Sequence, residues 1–515
     1  MRYCGMGRRR SHAALVALAA AALLATSCTD EGDDDAGPPA TLGASEFETV
    51  ECWWNDQHGT VPEDVTVACG TIDVPSVPGD PDSEPVTLAV ARLHHAASPA
   101  DAAPILFLHG GPGGTSLGAA PDELVVLPSL RERDLILWDQ RGSGRSTPSL
   151  NCPEKEEAIL DTLDRADPWA EELALNREAV QACRQRLADS GIDLDQYDTL
   201  TSVADMEVLR ETFGFKAWNV WGASYGTRLG LAYAREHPDR VRSLVIDSVY
   251  PPEVGGLERS QDLTDAALQR LFDACNADPG CAAAYGDLEG LLAKAVSDFD
   301  RRPEQLTRTV FVGEEPQDRS FTITGSDIRA GVFVAMYRSD LIPALPSIIA
   351  GLAEGNRSII PAFIDTGVPN LVEPSEGDFF SVECADSGRL IDGPEAQAAL
   401  QDVTDDALVA LASAQPFCQD WPVEHAPESF NEQVTVDVPT LVLAGTLDPI
   451  TPYLDSKAQA DAMPDARYVE VPTGGHTVAP FDECTKQARA DFWTDPSSEV
   501  PACVAALEAR PFVVS

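Results

Sequence analysis

The chain has 515 residues, of which 44% are hydrophobic and 7% aromatic. One hydrophobic core rarely serves a chain of this length, so we expect a core domain with a large insertion or a second domain. The formal net charge is −48 at pH 7. Such a charge repels phosphate backbones and excludes nucleic acid as a partner. The composition excludes a disordered or fibrous chain.

The N-terminus has the pattern of an export signal. Three arginines at 8–10 precede an apolar run at 13–25, which is shorter than the roughly 20 residues of a membrane-spanning helix. Residues 24–28 (LATSC) are similar to a bacterial lipoprotein cleavage box. We therefore predict a signal peptide at 1–28 and lipidation of Cys28, which would anchor the protein to the membrane surface of the cell envelope. The alternative is ordinary cleavage near this point and plain secretion.

After the signal, residues 29–48 are acidic and rich in Gly, Pro and Ala, which predicts a flexible tether. Alternating apolar residues at 65–68 and 86–90 predict two antiparallel leading strands. Short apolar runs typical of buried parallel strands follow at 105–108, 135–138, 218–221, 244–246, 440–443 and 468–471. Helical spacing occurs at 203–213, 227–235 and 456–462. This alternation predicts a mostly parallel sheet covered by helices.

About 190 residues separate the run at 244–246 from the run at 440–443, far more than a loop requires. Helical patterns occupy much of this interval, at 263–299, 328–352 and 396–414. We predict that residues 251–436 form an inserted, mainly helical cap. The core then comprises residues 49–250 and 437–515.

The cysteines predict an oxidising compartment. Apart from Cys4 and Cys28, ten cysteines remain, and they fall into sequence-neighbouring couples. The simplest disulfide scheme joins Cys52 to Cys69, Cys152 to Cys183, Cys275 to Cys281, Cys384 to Cys418, and Cys484 to Cys503. A metal site is the rival explanation, but the chain has no Cys-x-x-Cys, no His-Glu-x-x-His and only 8 histidines.

Residues 222–226 (GASYG) lie between a predicted strand and a predicted helix. This is the setting of a nucleophile elbow, in which glycines leave room for a sharp turn around the serine. The motif alone is a modest signal, because a tight turn with an ordinary serine has the same letters. In this position it predicts that Ser224 is a catalytic nucleophile.

A serine hydroxyl needs a base to accept its proton and an acid to orient that base. Asp448 follows the run at 440–443, and His476 follows the run at 468–471, which is the Ser, acid, His order of this kind of site. We assign Asp448 as the acid and His476 as the base. Asp247, at the end of an earlier predicted strand, is the alternative acid.

Two glycine-rich loops follow the first two parallel strands. Residues 109–114 (HGGPGG) predict an oxyanion loop, and because Pro112 has no N–H we assign the donors to Gly111 and Tyr225. A phosphate-binding loop is the alternative, but no Lys-Ser/Thr follows. Residues 139–146 (DQRGSGRS) are interpreted as structural, with Asp139 and Arg141 holding neighbouring loops.

Four motifs occur in order: HGGPGG, DQRGSGRS, GASYGT, and GTLDPITP followed by GGH. Together they resemble the proline iminopeptidase and tripeptidyl aminopeptidase group of α/β-hydrolases. Residues 382–386, 417–422 and 484–503 resemble its secreted tripeptidyl aminopeptidase branch. The resemblance implies an α/β-hydrolase fold, with a mostly parallel central sheet flanked by helices and a large, mainly helical cap insertion. Matched residue by residue, it also implies Ser224, Asp448 and His476 as the catalytic triad.

Enzymes of the group that this chain resembles remove residues from peptide N-termini, so a site for the ammonium group is implied. Glu383, Asp386 and Asp420 are the candidate carboxylates. The alternative is that they are solvated or structural groups beside a disulfide.

These observations predict an exported serine hydrolase, an aminopeptidase that releases tripeptides from free N-termini. One alternative is a carboxylesterase acting on small or cell-envelope esters, which the lipoprotein-like branch also includes. Another is a non-catalytic binding protein on the same scaffold. The substrate is a peptide or an ester, no cofactor or metal is implied, and the pattern makes no prediction of oligomeric state.

Overall fold

A computed structural model of the chain describes residues 45–54, 63–118, 131–166, 169–255, 259–312, 315–365, 375–391, 418–480 and 482–514. The predictions for the signal peptide, the lipidation of Cys28, most of the tether and the helix at 396–414 lie outside the described residues. The last part of the predicted tether is described. There Phe47 packs against Phe213 and Glu48 begins a strand, so the sheet starts before residue 49.

The described residues contain a nine-stranded sheet in the order β1-β2-β3-β5-β4-β6-β7-β10-β11. Its strands are β1 (Glu48–Val50), β2 (Val65–Pro75), β3 (Pro85–His95), β4 (Ile105–Leu108), β5 (Leu135–Trp138), β6 (Trp218–Ala223), β7 (Val241–Asp247), β10 (Thr440–Gly445) and β11 (Ala466–Val471). The first three strands are antiparallel to their neighbours, and from β5 to β11 the pairing is parallel. Every strand predicted from the apolar runs lies within an observed strand, and the predicted fold class is confirmed.

Helices flank the sheet and fill the long interval after β7. They are α1 (Pro153–Thr162), α2 (Trp169–Asp189), α3 (Thr199–Thr212), α4 (Tyr225–Glu236), α5 (Ser260–Ala277), α6 (Pro279–Tyr285), α7 (Leu288–Arg301), α8 (Gly325–Met336), α9 (Leu345–Ala353), α10 (Glu376–Ile391), α11 (Tyr453–Ala462) and α12 (Glu483–Thr494). The predicted helices at 203–213, 227–235 and 456–462 correspond to α3, α4 and α11. Helices α1 and α2, between β5 and β6, were not predicted.

The two faces of the sheet bury different side chains because strand residues alternate in direction. Val220, Leu244 and Ile246 pack in the cluster that includes α3 and α4. Trp221 and Val245 point to the opposite face, where they pack with residues of α12. Both faces of the parallel strands are therefore covered, which explains why these strands are apolar runs and not alternating patterns.

The interval between β7 and β10 is mainly helical, but it also contains a hairpin that the sequence analysis did not predict. Its strands are β8 (Glu304–Val312) and β9 (Glu315–Ile323), which pair antiparallel. The helices of this segment form their own hydrophobic core. Leu447, from the loop after β10, and Phe512, near the C-terminus, also belong to that core. The cap is thus packed directly against the segment that carries Asp448.

Five disulfides join cysteines of the described residues, and they are the five pairs proposed from the sequence: Cys52–Cys69, Cys152–Cys183, Cys275–Cys281, Cys384–Cys418 and Cys484–Cys503. Each closes a short stretch of chain, with separations of 6 to 34 residues. Within the described parts of the chain, no helix has the length and apolarity needed to cross a membrane.

The packing of Phe512, near the C-terminus, into the hydrophobic core of the cap can be tested by mutation. Phe512 is 7% exposed within the cap cluster, whereas its neighbour Val513 is 46% exposed. Replacing a buried Phe by Ala removes packing and leaves a cavity, so Phe512→Ala should lower the free energy of unfolding by about 3 kcal/mol. The matched variant Val513→Ala should stay close to wild type. Denaturant unfolding of the two variants tests this packing, and equal stability of both would contradict it.

Candidate active site

Ser224 occupies a strained turn between β6 and α4. Its backbone has φ 56° and ψ −127°, a left-handed conformation that a residue with a Cβ rarely adopts. A Cβ on Gly222 would lie 2.3 Å from the carbonyl oxygen of Gly226, and one on Gly226 would lie 2.0 Å from that of Leu108. Both positions therefore require glycine. The predicted elbow is present, with the serine at its apex.

The loop with the HGGPGG motif passes directly beside the nucleophile. A Cβ on Gly110 would lie 3.1 Å from Ser224 Oγ, and Gly111 has φ 117°. On the other side, Tyr225 is the first residue of α4, where backbone N–H groups have no partner within the helix. The two predicted oxyanion donors, Gly111 and Tyr225, thus belong to the two segments that flank Ser224, and their role stays a prediction.

Asp448 and His476 are hydrogen-bonded to each other. The distance between His476 Nδ1 and Asp448 Oδ2 is 2.9 Å. Asp448 Oδ1 accepts hydrogen bonds from the N–H groups of Ile450 (3.0 Å) and Thr451 (2.9 Å). The Thr451 hydroxyl donates to Asp448 Oδ2 at 2.8 Å and lies 3.1 Å from His476 Nδ1. The carboxylate is thereby held in one orientation toward the imidazole.

The buried Asp448–His476 pair shifts both pKa values in the directions that favour an ion pair. Burial raises the pKa of Asp448, but the charge of His476 and the hydrogen bonds outweigh it, so the pKa lies below its ordinary value. Burial lowers the pKa of His476, yet the charge and hydrogen bond of Asp448, with a contribution from Asp247, raise it above its ordinary value. His476 is therefore a stronger base than a free imidazole.

The strand ends bring the Ser224 and His476 segments to one edge of the sheet. Ala223 is paired with Asp247, and Asp247 with Leu443, so β6, β7 and β10 end side by side. In the described part of the chain, no hydrogen bond joins the side chains of Ser224 and His476. Such bonds between nucleophile and base are often long or poorly aligned before substrate binds.

Asp247, the alternative acid, does not contact the imidazole. Its carboxylate accepts hydrogen bonds from the backbone N–H groups of Val478 (3.0 Å) and Ala479 (2.8 Å), just after His476. The hydrogen bond to His476 therefore favours Asp448 over Asp247 as the acid, and that role stays a prediction.

The end of α8 in the cap also contacts the catalytic histidine. The ring of Tyr337 lies 5.0 Å from that of His476, edge to face, and its carbonyl accepts the His476 N–H at 3.1 Å. The Ser339 hydroxyl accepts the N–H of Gly475 at 2.9 Å. Neither residue was identified from the sequence, because nothing in the local pattern of α8 indicates its partner. Thr451, next to the GTLDP motif, could have been suspected from its position.

The DQRGSGRS loop is structural, as predicted. The Asp139 carboxylate accepts hydrogen bonds from the N–H groups of Leu117 (3.0 Å) and Arg145 (2.8 Å) and from the Thr115 hydroxyl (2.8 Å). It therefore ties down the chain just after the oxyanion loop. Arg141 forms a buried ion pair with Asp205 at 2.6 Å.

The three carboxylates predicted to bind an ammonium group all have partners within the protein. Glu383 accepts the hydroxyl of Tyr250 at 2.5 Å and lies 3.9 Å from the Arg228 guanidinium. Asp420 forms an ion pair with Arg177 at 2.5 Å, and neither residue belongs to the four sequence motifs.

Asp386 belongs to a buried chain of hydrogen bonds that ends at the nucleophile helix. It accepts the Thr199 hydroxyl at 2.6 Å, and the Thr199 oxygen lies 2.7 Å from the Tyr225 hydroxyl. Arg228, one turn along α4, is 4.0 Å from Asp386. Burial raises the pKa of Asp386 to about 7. This geometry suits a structural role beneath the elbow.

Asp378, on the first turn of α10, differs from these three carboxylates in having a buried oxygen without a hydrogen-bond partner among the described residues. The residue is 2% exposed, and the oxygen is its Oδ1 atom. A Cβ on Gly142 would lie 2.8 Å from this oxygen. Burial raises its pKa well above the ordinary value, while the charge of Arg141 lowers it. The sequence pattern does not single out Asp378, because an Asp at a helix start is usually a solvated first-turn charge.

Among the residues that the structure describes, no cluster of three or more His, Cys, Asp or Glu side chains could hold a metal ion.

Comparisons with known proteins agree with this geometry. A family model for the alpha/beta hydrolase fold matches residues 103–282, and a model described as TAP-like protein matches residues 407–503. Serine protease Hip1 of Mycobacterium tuberculosis is 26% identical over 424 residues, which cover 75% of this chain and 77% of that protein. Tripeptidyl aminopeptidase of Streptomyces coelicolor is 29% identical over 225 residues, 41% of this chain and 40% of that protein. The putative hydrolase YuaR of Escherichia coli is 23% identical over 462 residues, 85% of this chain and 88% of that protein.

The chain is therefore an α/β-hydrolase with a peptidase-like site and a TAP-like region. Within that fold it belongs to the group that includes tripeptidyl aminopeptidases and proline iminopeptidases, as its motifs predicted.

The Asp448–His476 pair predicts the pH dependence of hydrolysis. A base must be neutral to accept a proton, so activity should fall as pH drops through the pKa of His476. That pKa is raised, so the midpoint of the acid limb of kcat/KM should lie above 6.5.

Asp448→Asn should lower kcat about 10⁴-fold, because the imidazole loses its orienting anion. A pH–rate profile with an aryl ester checks both expectations.

The exposed carboxylate of Asp437, just before β10, offers a matched control. Asp437→Asn should leave kcat and the acid limb close to those of wild type. An Asp448→Asn enzyme as active as this control would contradict the assignment of the acid.

Proposed function

We propose that this protein is an exported serine peptidase that releases short peptides, tripeptides in particular, from free N-termini. The observation that carries the proposal is the elbow at Ser224 on the same sheet edge as the buried Asp448–His476 pair. The TAP-like match over residues 407–503 and the relative named tripeptidyl aminopeptidase support the peptide substrate.

In the proposed reaction His476 Nε2 accepts the hydroxyl proton of Ser224 while Oγ attacks the carbonyl carbon. The N–H groups of Gly111 and Tyr225 stabilise the oxyanion of the tetrahedral intermediate. His476 then gives the proton to the leaving amine, and the peptide remains as an ester on Ser224. Water, activated by the same imidazole, hydrolyses that ester, and Asp448 stabilises the imidazolium in both steps.

Export is supported by the leader sequence and by the five disulfides, which are typical of oxidising compartments and rare in the cytosol. Hip1, a relative that matches over 75% of the chain, is named a serine protease. Lipidation at Cys28 remains part of the proposal, based on the cleavage-box pattern alone.

Recognition of a free N-terminus requires a carboxylate that still lacks a cation. Glu383, Asp386 and Asp420 already contact Arg228 or Arg177, whereas Asp378 Oδ1 has no partner in the described chain. The segment just before Asp378 contacts the oxyanion loop, since the Ser375 N–H donates to the Gly113 carbonyl at 3.1 Å. Burial raises the pKa of Asp378 and so favours its neutral form, and an ammonium group bound beside it would stabilise the anion and form a desolvated ion pair. In this proposal Asp378 therefore takes the place of the three carboxylates suggested by the sequence.

This proposal predicts a difference between free and blocked substrates. A tripeptidyl p-nitroanilide with a free N-terminus should have a kcat/KM about 30-fold higher than its N-acetylated form, the effect of one buried charge pair. Asp378→Asn should remove most of that preference and leave hydrolysis of p-nitrophenyl acetate nearly unchanged. Asp420→Asn, which breaks the pair with Arg177, serves as the matched control and should keep the preference.

The outcomes separate the alternatives. If wild-type enzyme cleaves only the ester and blocking makes no difference, the protein is a carboxylesterase. If wild type shows the preference and Asp378→Asn retains it, the ammonium group binds elsewhere. If purified, folded protein cleaves none of these substrates, a binding function is favoured.

A further inference from the structure

The chain after His476 is fastened to the end of β7 by three hydrogen bonds. The N–H of Thr477 donates to Ser248 Oγ at 2.8 Å. The next two N–H groups, of Val478 and Ala479, donate to Oδ1 and Oδ2 of Asp247 at 3.0 and 2.8 Å. Both oxygens of one carboxylate are thus used by consecutive residues of the segment that carries the catalytic base.

The same residue also contacts the nucleophile. The backbone N–H of Ser224 donates to the carbonyl oxygen of Asp247 at 3.1 Å. Asp247 is therefore bonded to the elbow through its backbone and to the histidine loop through its side chain. Asp247 therefore connects the segment of Ser224 to the segment of His476 through hydrogen bonds.

The backbone around these bonds is strained. Ser248 has φ 63° and Thr477 has φ 56°, both in the left-handed region. Residues with a Cβ hold such conformations only when surrounding contacts outweigh the strain. The side chains of Ser248 and Asp247 accept hydrogen bonds from Thr477 and the two residues after it, and these bonds hold the strained segment in place.

A buried arginine provides charge compensation for Asp247. Arg489 of α12 is 1% exposed, and its guanidinium lies 4.2 Å from the ring centroid of Trp221 and 5.2 Å from that of Trp493. Its Nε and Nη1 atoms have no hydrogen-bond partner among the described residues. The two tryptophan faces accommodate the cation, and its field reaches Asp247 while the carboxylate oxygens remain bonded to backbone N–H groups.

We infer that Asp247 is a positioning residue for catalysis, which sets Ser224 and His476 relative to each other through the hydrogen bonds accepted by its backbone carbonyl and its carboxylate. The inference rests on the proposed use of Ser224 and His476 as nucleophile and base. It does not depend on whether the substrate is a peptide or an ester.

The charge of Asp247 has a consequence that a purely structural contact lacks. His476 faces Asp448, Asp247 and the neutral ring of Tyr337, and Asp247 faces Arg489 and His476. The negative charge of Asp247 contributes to the raised pKa of His476, and burial raises the pKa of Asp247 itself to about 6. Removing that charge should lower the pKa of His476 and move the acid limb of the pH–rate profile to lower pH.

The test is Asp247→Asn, assayed with p-nitrophenyl acetate as kcat per active site, with sites counted by burst titration. The amide has one oxygen and one NH₂ group, so one of the two backbone N–H groups loses its acceptor. We expect kcat to fall about 10- to 100-fold, the effect of losing a hydrogen bond to a charged group, with KM changed less than about twofold. The acid limb should move to lower pH.

The matched control is Asp139→Asn. Asp139 is also buried at the end of a parallel strand and also accepts two backbone N–H groups, but it holds the segment after the oxyanion loop. Its variant should leave the acid limb where wild type has it. An Asp247→Asn enzyme with wild-type kcat per site, or with an unmoved acid limb, would overturn the inference.

Ser248→Ala provides a second variant in case Asp247→Asn does not fold. It removes only the acceptor of the Thr477 N–H and no charge. We expect kcat to fall about 3- to 10-fold with KM and the acid limb unchanged. Wild-type kcat in Ser248→Ala would then overturn the inference. Because the assay uses an ester, a failed peptidase proposal would not affect either result.

Discussion

The strained backbone of Ser224 is the constraint on which the rest of the site depends. Ser224 has φ 56° at the point where the chain leaves β6 and enters α4 at once. The turn forces the backbones of Gly222, Gly226 and Leu108 into contacts that no larger residue at either glycine position would allow. It also places the first N–H of α4 next to the nucleophile. One backbone conformation thus presents the hydroxyl of Ser224 and places the N–H of Tyr225, the predicted oxyanion donor, beside it.

The cap also contacts the loops that carry Asp448 and His476. Leu447, next to the catalytic acid, is buried in the cap's own hydrophobic core. The carbonyl of Tyr337, from the end of α8, accepts the N–H of His476. The loops that carry Asp448 and His476 are therefore both held by contacts with the insertion, so a change in cap packing would also move these two residues.

Local sequence patterns predicted those elements that are determined by residues close together in the sequence. The four-residue strands β4 and β5 were predicted with their observed bounds, since buried runs between turn residues have few other solutions. The disulfides followed from cysteines close in sequence. The hairpin of β8 and β9 was missed because its strands mix polar and apolar residues without a clean period.

The partners of the carboxylates could not be predicted, because they come from distant parts of the chain. Glu383 and Asp386 meet Arg228 only after α10 has packed on α4, more than 150 residues away in sequence. The sequence therefore indicated acidic residues near the site without indicating which of them already had a cation. Asp378 became conspicuous only through its unpartnered oxygen.

The central claim is that Ser224 forms a covalent acyl-enzyme, and mass spectrometry of the inhibited protein tests it most directly. Incubation with a fluorophosphonate, which reacts only with activated serines, should add one phosphonyl group per chain. Peptide mapping should locate that group on Ser224, and Ser224→Ala protein should stay unmodified. A phosphonyl group on another residue, or equal labelling of Ser224→Ala, would contradict the account.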